Sequence, residues 1–228
     1  AAGSGPASAE GSGAASATAQ AASWAGIPAA GAGSAAGTAG VAGAGMAAAT
    51  GAEFHPPAIP KLPTAGRAAD LTKVEVLAPD LCPRYTARVL RGVKVGPSPR
   101  WMVERLAAVG MRGINNVVDV TNYILMEYSQ PLHSFDYDKL AERRIVVRRA
   151  VNGEMLVSID ETKCELDESM LVIADAARPV AIAGIMGGLN TEVCGTTTNV
   201  LIEAAQFDPL CIRRTSRKLQ LMSDSNYR

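Results

Sequence analysis

The spacing of apolar residues changes period once along the main body of this chain, and that change limits the folds open to it. Between positions 100 and 128 apolar side chains recur at helical spacing. From 144 to 205 they come instead in short β-branched runs, separated by turn residues such as Asn152-Gly153 and Asp160-Glu161. A helical half followed by a strand-rich half belongs to the α+β class rather than to a doubly wound sheet.

The helical half is preceded by strand-like alternation at 73–77 and by two further β-branched runs within 85–95, broken at Gly92. Ser98-Pro99 offers an N-cap and a first-turn proline for a helix over 100–109, which Gly110 ends and in which Trp101, Leu106 and Val109 bury. A helix of about four turns follows over 115–128, closed by Pro131. Ile114, Val117, Val118, Ile124 and Leu125 form its burying face, and Asn115, Asp119 and Asn122 form a polar stripe beside it. Either the asparagines cap the helix while Asp119 and Asn122 meet water, or the stripe and His133 line a pocket. Strands are expected at 144–150, 155–159, 171–174 and 199–205, with an apolar strand over 178–188 that closes in glycines. Asp208-Pro209 then starts a helix over 210–222, with Ile212, Thr215, Leu219 and Met222 on one side and Arg213, Arg214, Arg217 and Lys218 on the other.

Composition divides the chain. Of 22 basic and 22 acidic residues, only Glu10, Glu53, Lys61 and Arg67 precede position 70. The Ala/Gly/Ser-rich stretch over 1–69 has too little large apolar surface to offset chain entropy and reads as a low-complexity flexible linker. His55 sits there in a proline-rich spacer and receives no role. The folded domain is then 70–228, about 160 residues. No basic-then-apolar leader is present, and no run approaches the roughly 18 apolar residues of a membrane span. The expectation is a cytoplasmic protein with no membrane partner. The four cysteines, Cys82, Cys164, Cys194 and Cys211, lack metal-ligand spacing and read as reduced thiols, with no metal site. Net charge is zero, yet basic residues cluster over 84–112 and again over 213–218, as on surfaces that meet phosphates or on ordinary solvated faces.

Three features bear on chemistry. His133 is the one imidazole of the folded part; a lone histidine beyond a helix is most often a hydrogen-bonded structural group, and otherwise a general acid or base. Glu203 interrupts an apolar strand, so it either faces solvent, the commoner outcome, or is buried with a partner. Gly184-x-x-Gly187-Gly188 lacks the Lys-Ser/Thr of a phosphate loop and reads as a tight turn, or as a wall where a ligand approaches bare backbone.

Taken together, Leu81-Cys82-Pro83-Arg84-Tyr85-Thr86-Ala87-Arg88-Val89, Arg112-Gly113-Ile114-Asn115-Asn116-Val117-Val118-Asp119-Val120-Thr121-Asn122-Tyr123, Gln130-Pro131-Leu132-His133-Ser134-Phe135-Asp136, Ala183-Gly184-Ile185-Met186-Gly187-Gly188 and the segment 224–228 resemble the β chain of bacterial phenylalanyl-tRNA synthetase. The similarity runs in one order from about Leu71 to Arg228 and covers that chain's editing domain, which lies within a region of its β chain called B3/4. It implies a helical part packed on an unusual β-sandwich, and hydrolysis of tyrosine wrongly attached to phenylalanine tRNA. His133 and Glu203 then match the catalytic pair, with Glu203 accepting the phenol proton and His133 orienting or deprotonating a water. Asn122, Gly184, Gly187, Glu203, Ser223 and Ser225 match the substrate-binding pocket.

The resemblance further implies phenylalanine tRNA and the synthetase α subunit as partners, in a heterotetramer. ATP and Mg2+ serve the whole synthetase, with no cofactor in this segment. Ser223 and Ser225 stand where many relatives carry threonine and alanine, and Gln220 where glycine is usual. Those departures keep a second reading open, a non-catalytic tRNA-docking module using Arg213, Arg214, Arg217 and Lys218, and a free-standing trans-editing protein is a third. Because the resemblance stops mid-motif, the chain is expected to continue past Arg228.

Overall fold

The protein is described here as a computed structural model, over residues 49–51, 53 and 65–223. The expected linker lies mostly outside the described residues, and its limit at position 69 falls within a short 3-10 turn, Ala68–Asp70. The fold is α+β. Within residues 65–223 ten strands are present: β1 (Lys73–Val76), β2 (Arg84–Arg91), β3 (His133–Asp136), β4 (Arg144–Arg149), β5 (Glu154–Val157), β6 (Lys163–Leu166), β7 (Leu171–Ala174), β8 (Pro179–Ile182), β9 (Met186–Gly187) and β10 (Asn199–Gln206). Three α-helices accompany them in the same span: α1 (Arg100–Ala108), α2 (Asn116–Tyr128) and α3 (Pro209–Leu219).

Five strands form one sheet in the order β1-β4-β7-β8-β9, in which β1 runs parallel to β4 and the other pairs are antiparallel. A second, antiparallel sheet has the order β2-β10-β3, and β5 and β6 form a hairpin. The sheets share one core, with Phe135 and Leu201 against Ile145, Val147, Leu171 and Ile173. On the far face of the larger sheet, Val172 and Ile182 meet Leu156, Leu166, Ile185 and Ile212, so the hairpin and α3 cover it. Every residue of β7 and β8 is therefore buried, which explains why both read as unbroken apolar runs.

The helical part packs through Met102, Leu106 and Met111 against Tyr123 and Met126, and α2 rests on β3. Asn115 caps α2 as expected, accepting from the amides of Val117 and Val118 at 3.0 Å each. Asp119 does not meet water. It is buried, accepting from Ser98 Oγ at 2.5 Å and from the Ile114 amide at 2.8 Å. Ser98 is consequently unavailable as a cap, and Pro99 takes that position on α1 without a side-chain bond.

Other boundaries moved for local reasons. Gly92, at φ 69°, ends β2, so the run after it adds one ladder bond, from the Val93 amide to Thr198 O, and no strand. Two strands, β3 and β6, were not anticipated. Each has four residues, three of them polar in β3 and two in β6, which leaves too little pattern to read. Helix α3 stops at Leu219 rather than Met222 because Gln220 turns left-handed (φ 55°, ψ 29°), and Met222 is exposed.

A left-handed residue with a side chain costs about 1 kcal/mol relative to glycine, the residue such a helix end favours. Gln220→Gly is expected to raise stability by about 0.5–1 kcal/mol, part of the relief being returned as greater freedom of the unfolded chain. Urea unfolding checks this, and a lower midpoint would contradict it.

Candidate active site

Strand β10 is the centre of the smaller sheet, and its register decides which side chains meet. Glu203 stands opposite Ala87 of β2 on one side and His133 of β3 on the other. Directly paired residues point to the same face of a sheet, and alternate residues share it. Glu203 and His133 therefore lie on the face that also carries Leu201 and Phe135, toward the larger sheet. The acid is 5% exposed, so the commoner outcome for such a residue is overturned. Its partner is Tyr85, two pairs further along β2 and on the same face, whose hydroxyl donates to Glu203 Oε2 at 2.9 Å.

Burial sets the electrostatics. Desolvation pushes the Glu203 carboxyl up to about 7, against the opposing pull of the Tyr85 hydrogen bond. The Tyr85 phenol is driven well above its ordinary value, first by burial and then by the neighbouring carboxylate. Cys82 rises to about 11 for the same two reasons. The His133 ring lies edge-on to Phe135, with centroids 4.4 Å apart, and burial pushes it down to about 4. It is thus a neutral imidazole near pH 7, with no hydrogen bond to either nitrogen among the described residues.

The glycines divide. A Cβ on Gly187 would overlap the His133 imidazole and lie 2.8 Å from both Nε2 and Ile159 Cδ1, so the bare backbone of β9 is what admits the ring. Gly184 has φ 66°, and a Cβ added there would lie 3.1 and 3.2 Å from Phe207 and Ile212, not against His133. Ser223 donates to Ile185 O at 2.8 Å, tying the segment after α3 to this glycine turn. Asn122 is half-buried on α2, and no hydrogen bond of its side chain is present among the described residues. Ser225 lies outside the described residues.

The basic face of α3 is present but reduced. Arg213, Arg214 and Arg217 are exposed without ion pairs among the described residues, whereas Lys218 binds Asp167 at 2.6 Å and, with Ser169, holds that carboxyl down to about 2. The first basic cluster is also partly spent, Arg100 on Glu104 and Arg105 on the Tyr123 hydroxyl. Two shallow cavities lie elsewhere, about 220 Å³ between α1 and α2 beside Arg105 and Tyr123, and about 290 Å³ over Thr86, Arg88 and Ile202. Tyr85 and Cys82 were given no role from sequence. The alternation of Tyr85, Ala87 and Val89 shows that they share a face, but nothing in it shows that β10 lies alongside.

Residues 81–228 match the family model described as the B3/4 domain. The chain belongs to the B3/4 domain family. This B3/4 domain is 56% identical over 179 residues to the phenylalanine--tRNA ligase beta subunit of Moorella thermoacetica, covering 78% of this chain and 22% of that one. It is 57% identical over 150 residues to the same subunit of Geobacter sulfurreducens, covering 66% and 19%. The resemblance read from the motifs therefore stands. An N-terminal fragment of the phenylalanyl-tRNA synthetase beta subunit from Pyrococcus horikoshii aligns loosely, at TM-score 0.45 and 14% identity over 65% of this chain and 48% of that one. The chain spans about a fifth of the length of the curated relatives it matches. No helix among the described residues is long and apolar enough to cross a membrane.

The two titrating groups act on stability with opposite sign. A raised Glu203 stabilises the fold below its unfolded value, and that contribution is lost as pH rises through about 7. A lowered His133 contributes above about 6.5, and its contribution is lost as pH falls toward about 4. Glu203→Gln isolates the first effect. Between pH 6 and pH 8 the natural protein is expected to lose about 1 kcal/mol relative to that variant in paired urea titrations; a constant difference would refute the assignment.

Proposed function

We propose that this B3/4 domain, over 70–228, hydrolyses tyrosine wrongly esterified to phenylalanine tRNA, as the editing part of a synthetase β subunit. Phenylalanine and tyrosine differ by one hydroxyl, and an apolar synthetic pocket rejects an added hydroxyl only modestly. A second site that selects the error must hydrogen-bond the phenol, because phenylalanine then leaves a polar group unpaired at a cost of about 1–3 kcal/mol. The observation that carries the reading is a buried carboxylate already holding a phenol: Glu203 accepts from Tyr85 at 2.9 Å, directly across the strand from His133.

In this proposal Glu203 receives the substrate phenol, and the Gly187 backbone keeps the reacting end close to the imidazole. With its proton affinity so low, His133 is a weak base at neutral pH and acts by orienting a water through a ring nitrogen. That water adds to the ester carbonyl carbon, the carbon–oxygen bond to the terminal ribose breaks, and the ribose hydroxyl leaves with a proton. Ser223, and by the same reading Asn122, Gly184 and Ser225, shape the surroundings. Amino-acid activation, with ATP and Mg2+, belongs to the partner α subunit, and both operate in the cytoplasm.

Deacylation of tyrosyl-tRNA(Phe) by the assembled synthetase tests this. Glu203→Ala is expected to reduce it by two orders of magnitude or so, and His133→Ala by roughly 10–100-fold. Full activity in both variants would end the proposal.

A docking contribution has its own observation in Arg213, Arg214 and Arg217 of α3, exposed and without ion pairs among the described residues. Phosphate contacts make affinity fall steeply with salt. Replacing Arg213 and Arg217 by alanine is expected to weaken tRNA binding at low salt and to flatten its salt dependence by about two units of log–log slope. Unaltered binding would remove α3 from the interface.

A further inference from the structure

We propose that Tyr85 is a positioning residue for Glu203: its hydroxyl fixes one carboxylate oxygen, Oε2, so that the other, Oε1, is presented to the phenol of the bound ester. The inference rests on the reading that Glu203 meets that phenol, and it adds a residue from a different strand to the recognition site.

Three observations support it. Tyr85 lies on the same inner face as Glu203, two register pairs along β2, and its ring packs on the sandwich core, so the donor arrives from a rigid wall. Its phenol stays protonated across the working range, which makes it a permanent donor and never a competing acceptor. Oε1, in contrast, makes no hydrogen bond among the described residues, and it is not one of the sealed, unpartnered polar atoms, which are Arg144 Nε and Asn190 Oδ1. One oxygen of a single carboxylate is thus occupied by a resident phenol and the other is left for an incoming one.

The groups facing Glu203 are few: Tyr85 from β2, the Cys82 thiol ahead of β2, and His133 from β3. Cys82 and His133 are both neutral near pH 7, and no cation among the described residues offsets the buried charge. The Tyr85 hydroxyl is therefore what keeps part of the carboxylate ionised at neutral pH, in the form that accepts most strongly. A merely structural tyrosine has no reason to set that balance.

The test is Tyr85→Phe, which keeps the ring and removes one oxygen. In the full chain with carboxyl-labelled glutamate, the Glu203 resonance, assigned by its loss in Glu203→Gln, is expected to titrate roughly one pH unit higher in Tyr85→Phe. In the assembled synthetase the same variant should lose about fivefold in tyrosyl-ester hydrolysis at pH 7 and regain most of it about two pH units higher. An active enzyme with an unshifted midpoint overturns the role of Tyr85 alone. A natural protein inactive at every pH overturns the editing reading and the proposal with it, and the titration separates the two failures. Should Tyr85→Phe not fold, the ring-carbon resonance of Tyr85 in the natural protein must follow the Glu203 midpoint; a ring signal flat through that range overturns the proposal.

Discussion

The pairing of β10 with two neighbours at once is the constraint on which the rest of the molecule depends. A strand alternates its side chains, so slipping β10 by one residue would turn Glu203 to the outer face and bring Ile202 and Ala204 into the core. Leu201 holds the register, since it and its direct partner Phe135 are fully enclosed on the inner face. The sandwich thus places its carboxylate by the same packing that stabilises it, and the site needs no separate scaffold. Its charge is costly, but the cost is confined to one residue and eased by the Tyr85 hydroxyl.

A second buried acid organises the helical part in a different way. Asp119 ties the loop before α1 to the segment preceding α2, and Gly113 packs closely beside it, where an added Cβ would lie 3.2 Å from Oδ2. Apolar contacts between α1 and α2 are few, centred on Met102 and Leu106, and a polar junction at one end fixes how the helices leave each other. This is the general use of a satisfied buried polar group, which selects one arrangement where apolar packing tolerates several.

Most of the elements could be read from sequence where pattern and length were both sufficient. Asn116–Tyr128, with its asparagine cap, and Asn199–Gln206 are long enough for their periods to show. The four-residue β3 is not, and it is the strand that carries His133. His133 and Glu203 drew attention by residue type and setting, one a single imidazole and the other an acid in an apolar run. Their adjacency was out of reach, because register between strands 70 positions apart depends on tertiary packing and not on local spacing. The partner of Glu203 was out of reach for the same reason. Ser98 failed as a cap because Asp119, distant in sequence, made the stronger demand on its hydroxyl.

The parallel union of β1 with β4 sets Lys73 opposite Arg144, with both helices and two strands of the other sheet threaded between them. Closing so long a loop costs little more than closing a shorter one at equilibrium, since each doubling adds only about 0.6 kcal/mol. It costs much more in time, because a parallel pair gains nothing until the intervening chain has found its place. The larger sheet can therefore grow from β4, β7 and β8, which are linked by the β5-β6 hairpin and a short turn, while β1 joins last. During synthesis the ribosome delivers β1 before β4, so that strand waits for a partner that emerges some seventy residues later, with its backbone edge unpaired in the meantime.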